Sequence, residues 1–469
     1  MYITPQEFNV RIHHVRPRFK NDVESVLLFM ATEISRLSEM SHEDFKTALN
    51  SSIRLYPGNM SKTQKTIDNW RTEISALFGL IEYTKETSRP SAMAIMLAER
   101  QDLIEFFRYF LFNFQYPGGH LKPSKTVELL NLGVKFKPTK YILEVMMKGR
   151  EIVGNDKNFG ITKAEATHLI FNDLKVIRGD SSPEKTVRLI LANRQKELIY
   201  DNSGDVVRYA GDILDYMELA DLVTLRQNYQ YYPNTYNAEV IQAFIKDDTF
   251  FEQYIPLYEK KDLNLADVKE TQNLWFEYVN SHLDPEIFKA DILSVIGEAS
   301  SKAETVDQRN FIQQIIEKIR NTKGLRTKEI GDVGESLTIE HEKNRLTFAN
   351  REDLIHLVQK MPEKLAVGYD INSREIDETH RYVEVKTTVS RGKLAGNNFS
   401  MSPNEWNSAK SNRQIYFVYR IMISSSDISL FIIHDPVGKE REGLLDMTPR
   451  NGADIRYTER SGNWEKLLV

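Results

Sequence analysis

The 469-residue chain has no cysteine. That excludes disulfides, thiolate zinc sites and a cysteine nucleophile. No apolar run approaches the roughly 20 residues needed to cross a bilayer. The opening Met1-Tyr2-Ile3-Thr4-Pro5 is not followed by the basic-then-apolar pattern of a signal peptide. A cytoplasmic protein with no membrane partner is the expectation. Nor is positive charge in excess: 62 Lys and Arg stand against 67 Asp and Glu, a net charge of −5. Taken alone, that balance argues against a nucleic-acid partner, because such domains are commonly basic. The total hides an uneven distribution. Residues 131–199 hold 13 Lys/Arg and 8 Asp/Glu, a balance of +5, and residues 246–298 hold 5 and 12, a balance of −7. Such a split is compatible with DNA binding without requiring it, since solvated helical faces are often as biased.

What is present is ordinary globular material, 41% hydrophobic and 28% charged. At this length about two to four domains are expected. From Asp22 through Leu37 apolar residues return every three or four positions, which reads as helix. Ser61–Thr66 leads into a helix over Ile67–Leu77, Gly79–Tyr83 reads as a short strand, and Ser88-Arg89-Pro90 as a turn. That order resembles a winged helix. Its second helix would present Lys65, Asn69 and Arg71 to a major groove, with Ile67, Trp70 and Ile74 packed behind. A small helical domain with a merely wet polar face satisfies the same pattern.

A second segment repeats the logic. Pro138 suits a helix start before Tyr141–Met147, and Thr162 with Glu165 forms a capping box for a helix over Ala164–Asp173. Ser182-Pro183 opens another helix that runs to Lys196. Lys163, Thr167, His168, Lys185, Arg188, Arg194 and Lys196 are the candidate contacts, although a helical histidine such as His168 is more commonly a satisfied one. A third unit starts near Val206, with a helix over Arg208–Leu219 and a strand from Asp221. Its polar hairpin carries Tyr229, Tyr231, Tyr232 and Tyr236 beside Arg226, either a wing on the DNA backbone or a packed turn. Residues 1–130 are therefore taken as one helical, winged-helix-like recognition region, 131–244 as further such units, and 245–324 as an acidic helical connector.

From Leu325 onward the pattern changes to α/β. A helix over Ile330–Leu346 precedes strands at Val367–Ile371 and Arg381–Thr388. A helix capped by Ser402, with Pro403 first and Glu405 closing a capping box, precedes strands at Gln414–Ile421 and Ile428–Ile433. Alternate strand residues share a face, so Glu384 and Lys386 point one way and Val383 and Val385 the other, into the core. With Asp370 they place two carboxylates and an ammonium at one edge, the minimum for binding Mg²⁺ and attacking a phosphodiester. A salt-bridged surface edge would use the same residues.

The blocks Gly334-Glu335, Gly368-Tyr369-Asp370-Ile371, Val383-Glu384-Val385-Lys386-Thr387, and Ser402-Pro403-Asn404-Glu405-Trp406 before Tyr416-Phe417-Val418-Tyr419, in this order, resemble the PD-(D/E)XK nucleases. Within that superfamily they are most similar to the NO VEIN-type C-terminal domain of some restriction endonucleases. The resemblance spans roughly residues 325–435 and implies a mixed-sheet nuclease domain at 325–469 behind an all-α, winged-helix-like N-terminal region. It implies Asp370 and Glu384 as Mg²⁺ ligands, the Val385 carbonyl as a further ligand, and Glu335 as support for a metal or its waters. Lys386 would orient or help deprotonate the attacking water. Thr387 departs from the family, which has a glycine there, and Asn404 and Gln414 lie close by as candidate contacts to DNA or substrate waters. The implied function is a site-specific, Mg²⁺-dependent endonuclease of Type IIS-like organisation acting on double-stranded DNA. Lys65, Asn69, Arg71, Lys163, Thr167, Lys185, Arg188, Arg194 and Arg226 would contact the DNA. One active site per chain calls for a dimer, transient or stable, or a partner subunit, and a companion DNA methyltransferase is expected. The alternatives are a non-catalytic DNA-binding regulator, a strand-nicking enzyme and a modification-dependent nuclease.

Overall fold

The computed structural model describes residues 1–12, 23–154, 158–203, 207–281, 283, 285–303, 305–392, 398–450 and 452–469. The helix start expected at Asp22 and the unit start near Val206 lie outside them. Among the described residues no helix is long and apolar enough to cross a membrane. The chain divides into two compact units: Met1–Asn21, Met30–Ala98 and Ile104–Phe288 form one, and Asp22–Phe29, Glu99–Leu103 and Lys289–Val469 the other.

The first unit is mainly helical and carries two small sheets. Strands β1 (Met40–Ser41), β2 (Ile81–Tyr83) and β3 (Thr87–Pro90) pair antiparallel in the order β1-β3-β2. Between β1 and β2 run α1 (His42–Arg54) and α2 (Gln64–Asn69), the latter continuing through a π-helical turn, Trp70–Ile74, into α3 (Ser75–Phe78). Ser41 caps α1 by accepting from the Asp44 N–H. Gly79, at φ 63°, ends α3 in the left-handed region that glycine enters without strain. A Cβ at that position would also lie 2.7 Å from Val279 Cγ2.

Helices α4 (Pro138–Val153), α5 (Lys163–Ala166), α6 (Pro183–Gln195) and α7 (Arg208–Leu219) precede the hairpin of β4 (Val223–Leu225) and β5 (Tyr231–Pro233). Pro138 opens α4, the Thr162–Glu165 capping box opens α5 and Ser182 caps α6. Ile161 bridges to Tyr231, so the order Ile161-β5-β4 repeats that of β1-β3-β2. The two units expected over this stretch are therefore one. The residue that joins them, Ile161, is an isolated bridge too short to read as a strand. The expected connector is also divided. Phe251, Tyr254, Trp275 and Phe276 bury against Leu130 in one apolar cluster, so the chain as far as Phe288 belongs to the first unit. Large aromatic side chains bury more apolar area than a linker can leave exposed.

The second unit is built around β6 (Gln359–Lys360), β7 (Ile371–Arg374), β8 (His380–Ser390), β9 (Asn398–Met401), β10 (Tyr416–Ser424), β11 (Ile428–His434), β12 (Leu445–Arg450), β13 (Gly452–Tyr457) and β14 (Asn463–Glu465). Six of them form a mixed sheet in the order β14-β11-β10-β8-β7-β6, with β8 and β10 parallel and the other neighbours antiparallel. Helix α8 (Ile330–Phe348) packs along β8. The parallel crossover from β8 to β10 runs through β9 and α9 (Pro403–Asn412), as parallel pairing requires. Strands β12, β13 and β9 form a second sheet, and Trp406, Tyr416, Val418, Phe431 and Ile455 fill a core beside it. The strand expected at Val367–Ile371 begins only at Ile371, because Ala366 and Gly368 turn the chain at φ 47° and 77°. Gly368 lies so close to α9 that a Cβ would fall 2.5 Å from the Asn404 carbonyl oxygen.

Candidate active site

Ile371 pairs with Val383, and the Asp370 N–H donates to the Val383 carbonyl at 3.0 Å, which sets Asp370 beside Glu384. Asp370 Oδ2 accepts from the Val385 N–H at 2.8 Å. The N–H and C=O of one strand residue leave on the same side, so the Val385 carbonyl also faces Asp370. Glu384 is 2% exposed. Its Oε1 lies 2.7 Å from Lys386 Nζ, while its Oε2 has no hydrogen-bond partner among the described residues. Lys386 Nζ also reaches Glu405 Oε2 at 2.7 Å. The ammonium is thus held between a strand carboxylate and a helix carboxylate. On the other face of β8, Gly334 of α8 lies against Thr387, where a Cβ would fall 1.8 Å from Thr387 Oγ1. The threonine that replaces the expected glycine is accommodated by bare helix backbone. Glu335 follows on α8, with Lys360 Nζ 2.5 Å from its Oε2.

The electrostatics are those of a site short of positive charge. Burial raises Asp370 above its ordinary carboxylate range, with Glu405 adding and the Val385 N–H and Lys386 opposing. Burial carries Glu384 well up, reinforced by Asp370 and Glu405 and opposed by Lys386. Burial also raises Glu335, helped by Asp370 and opposed by Lys360. Burial would lower Lys386, but Glu384 and Glu405 outweigh it and hold the ammonium above its ordinary value. Glu405 itself is pulled down by Lys386 despite its burial. Buried carboxylates raised together, one with a bare oxygen, suit a cation. Among the described residues no three His, Cys, Asp or Glu side chains converge as a metal cage.

Sequence reasoning assigns Glu405 only a capping role. It performs that role, accepting from the Ser402 N–H at 3.0 Å, and holds Lys386 as well. The available signal was that a buried lysine beside two carboxylates still leaves donors to satisfy. Asn404 and Gln414 serve local structure instead: Asn404 donates to the Ala366 carbonyl and Gln414 to Asp435 Oδ2.

Of the residues expected to face DNA, Lys65 and Asn69 are exposed on α2, Lys185 on α6 and Arg226 after β4, its guanidinium 4.2 Å from the Tyr232 ring centre. Arg71 is paired with Asp68 at 3.1 Å, Arg188 with Glu184 at 2.7 Å, Lys163 with Asp215 at 2.6 Å and Arg194 with Glu165 at 2.7 Å. Thr167 is a correction. It is 1% exposed and donates to the Lys163 carbonyl, so its side chain lies inside. His168 is a satisfied histidine, with Nε2 2.8 Å from the Asp201 carbonyl. Ile67 and Ile74 are buried as expected, and Trp70 is half-buried against Tyr56. The tyrosines split: Tyr231 and Tyr232 are buried, Tyr229 and Tyr236 exposed.

Residues 2–276, more than half of the chain, match the family described as restriction endonuclease BpuJI, N terminal. The chain belongs to that family. Beyond this BpuJI-type region, residues 334–433 match the family described as protein NO VEIN, C-terminal, which gives the chain a restriction-enzyme-like organisation. The chain is also similar to the solved structure of the BpuJ1 endonuclease binding domain, crystallised with pyrene- and phenanthrene-modified DNA. That similarity has a TM-score of 0.52 and 24% identity, over 58% of this chain and 98% of that one. No curated protein matches the chain.

Proposed function

We propose that the chain is a metal-dependent DNA endonuclease of restriction type. Its first unit reads a base sequence in double-stranded DNA, and its second hydrolyses a phosphodiester at or near that sequence. The observation that carries the reading is Asp370 set beside Glu384 and Lys386 of the central strand β8, with a carboxylate oxygen that no described residue engages. Assignment to the PD-(D/E)XK superfamily rests on the same residues and on the order α8, β7, β8, α9, β10. Asp370, Glu384 and the Val385 carbonyl would hold Mg²⁺, and Glu335 would support its waters. When bound, the ion supplies an acidified water and offsets phosphate charge. Lys386, kept as an ammonium by Glu384 and Glu405, orients the attacking water and opposes charge growing on the phosphate oxygens. Glu405 keeps that ammonium directed at the site when Glu384 is engaged elsewhere.

In the first unit, the strand order β1-β3-β2 and its repeat in Ile161-β5-β4 support a pair of winged helices. Lys65 and Asn69 would then face a major groove and Arg226 would sit on the second wing. Its family's restriction enzyme and the DNA bound in the similar structure point the same way. Type IIS-like shifted cleavage, a companion methyltransferase, and a dimer or partner subunit for cutting both strands belong to this proposal. Incubating plasmid DNA with the purified chain and Mg²⁺ should yield discrete fragments. Asp370→Ala and Lys386→Ala should each lower cleavage by on the order of a thousandfold while retaining DNA binding in a gel-shift assay. Undiminished cleavage by either variant sinks the site. Shifted but uncut DNA from the unaltered chain would leave a binding protein.

A further inference from the structure

Asp370 and Glu384 stand at one end of a longer row of side chains. Strands β7 and β8 pair Asn372 with Tyr382 and Arg374 with His380. Alternate strand residues share a face, so Asp370, Asn372 and Arg374 form one column and Glu384, Tyr382 and His380 form the next. At ~3.3 Å per residue, Arg374 lies ~13 Å along the chain from Asp370. Tyr369 stacks on Tyr382 in the middle of the row, ring centres 4.3 Å apart and planes at 14°. His380 tilts against Tyr382 at 5.2 Å.

Arg374 is set in place at the far end. Its Nη1 donates to Asn372 Oδ1 and to the Ser373 carbonyl, each at 3.0 Å, and meets His380 Nδ1. Facing a guanidinium, His380 Nδ1 accepts, and the ring proton belongs on Nε2. Burial and the Arg374 charge hold His380 below its ordinary value, in keeping with a neutral ring. Arg326, Arg345, Arg351, Arg381, Arg391 and Arg413 of the same unit each hold a carboxylate. Arg374 makes no ion pair with a described residue, and its Nε and Nη2 remain uncommitted. A planar guanidinium held from one side and bare on the other suits two oxygens of a phosphate.

We propose that Arg374 and His380 form a phosphate-binding subsite for the DNA strand entering the active site, beyond the Tyr369–Tyr382 pair from Asp370 and Glu384. The subsite would hold a backbone phosphate to one side of the bond that is cut, and in this it rests on the nuclease reading. Tethering the strand there fixes the scissile phosphate at the acids through contacts that carry no base information. The plainer role for Arg374, tying off the β7–β8 hairpin, predicts a loss of stability and no change in ion release.

The test is DNA binding by the full chain without divalent metal, using a fluorescein-labelled duplex of arbitrary sequence titrated across KCl concentrations. Arg374→Gln should bind about tenfold more weakly, and the slope of log affinity against log salt should fall by about 0.9, one phosphate contact. Its melting temperature should match that of the parent chain, and Arg374→Lys should restore the slope. An unchanged slope in Arg374→Gln overturns the proposal, and so does a lowered melting temperature with the slope intact. If Arg374→Gln does not fold, His380→Ala decides: weaker binding at unchanged slope supports the subsite and unchanged affinity overturns it. Because no cleavage is read, the subsite stands or falls separately from the nuclease reading, which Mg²⁺-dependent cutting by the parent chain decides.

Discussion

Two glutamates of the second unit are almost equally buried, Glu342 at 0% and Glu384 at 2% exposed, yet they are in opposite condition. Glu342, on α8, accepts from Arg345 Nη2 at 2.8 Å, from Ser373 Oγ at 2.7 Å and from the Tyr419 hydroxyl, with Arg381 Nε at 3.5 Å. Burial would raise its carboxyl, but Arg381 and Arg345 outweigh it and pull it down to about 2. Glu384, on β8, has one cation on one oxygen and no described residue on the other, and its carboxyl is raised. The first is a completed network that fastens α8 to β7, β8 and β10. The second is a charge left incomplete on an interior strand. A buried carboxylate that the fold does not satisfy is maintained against a stability cost, which is how functional sites differ from structural ones.

The largest expected effect lies at Glu342. Glu342→Gln leaves Arg345 and Arg381 short of their shared acid and should cost about 3–5 kcal/mol, read as a lowered urea midpoint. A loss below about 1 kcal/mol, the value of an exposed pair, would show that the network is not the clamp described.

A somewhat smaller effect should appear with pH. The folded-state value of Glu342, about 2, lies below the ordinary 4.5. A depressed acid contributes stability that is present above its unfolded value and lost as pH falls through the folded one. The parent chain should therefore weaken between about pH 4.5 and pH 2, and Glu342→Gln should show less of that dependence. Parallel acid profiles for the two proteins would remove Glu342 as the cause.

These two glutamates also mark what a sequence can disclose. Glu384 was legible because its neighbours are local: Val383, Val385 and Lys386 alternate along one strand, and Asp370 is flanked by Tyr369 and Ile371. The capping boxes at Thr162 and Ser402 were legible for the same reason, each closing within one helical turn. Glu342 was not. Its partners lie on α8, β7, β8 and β10, and Tyr419 is 77 residues away. Glu405 was half-legible, its cap local and its grip on Lys386 not. Ile161 escaped as a single bridging residue. Strands β12 and β13 escaped although Leu445 and Met447, and then Ala453, Ile455 and Tyr457, alternate with polar residues as a half-buried strand does; they pair with each other and with β9.

The smallest predicted effect carries the opposite sign. Glu384→Gln removes a charge that burial, Asp370 and Glu405 all disfavour, and it leaves Lys386 its partner Glu405. Because the folded-state value of Glu384 is raised, the neutral form is favoured in the folded chain and ionisation at pH 7 works against folding. Substitution by the neutral isostere should slightly stabilise the metal-free protein at neutral pH. The gain should disappear at acid pH, where Glu384 is itself protonated. Urea denaturation of the parent and variant chains at neutral and acid pH checks both statements, and adding Mg²⁺ gives a third. If Glu384 holds the ion, Mg²⁺ should raise the stability of the parent more than that of the variant, since only a ligand that binds the folded state shifts the midpoint. A variant less stable than its parent at neutral pH would make Glu384 a structural acid like Glu342, and the contrast between the two would not survive.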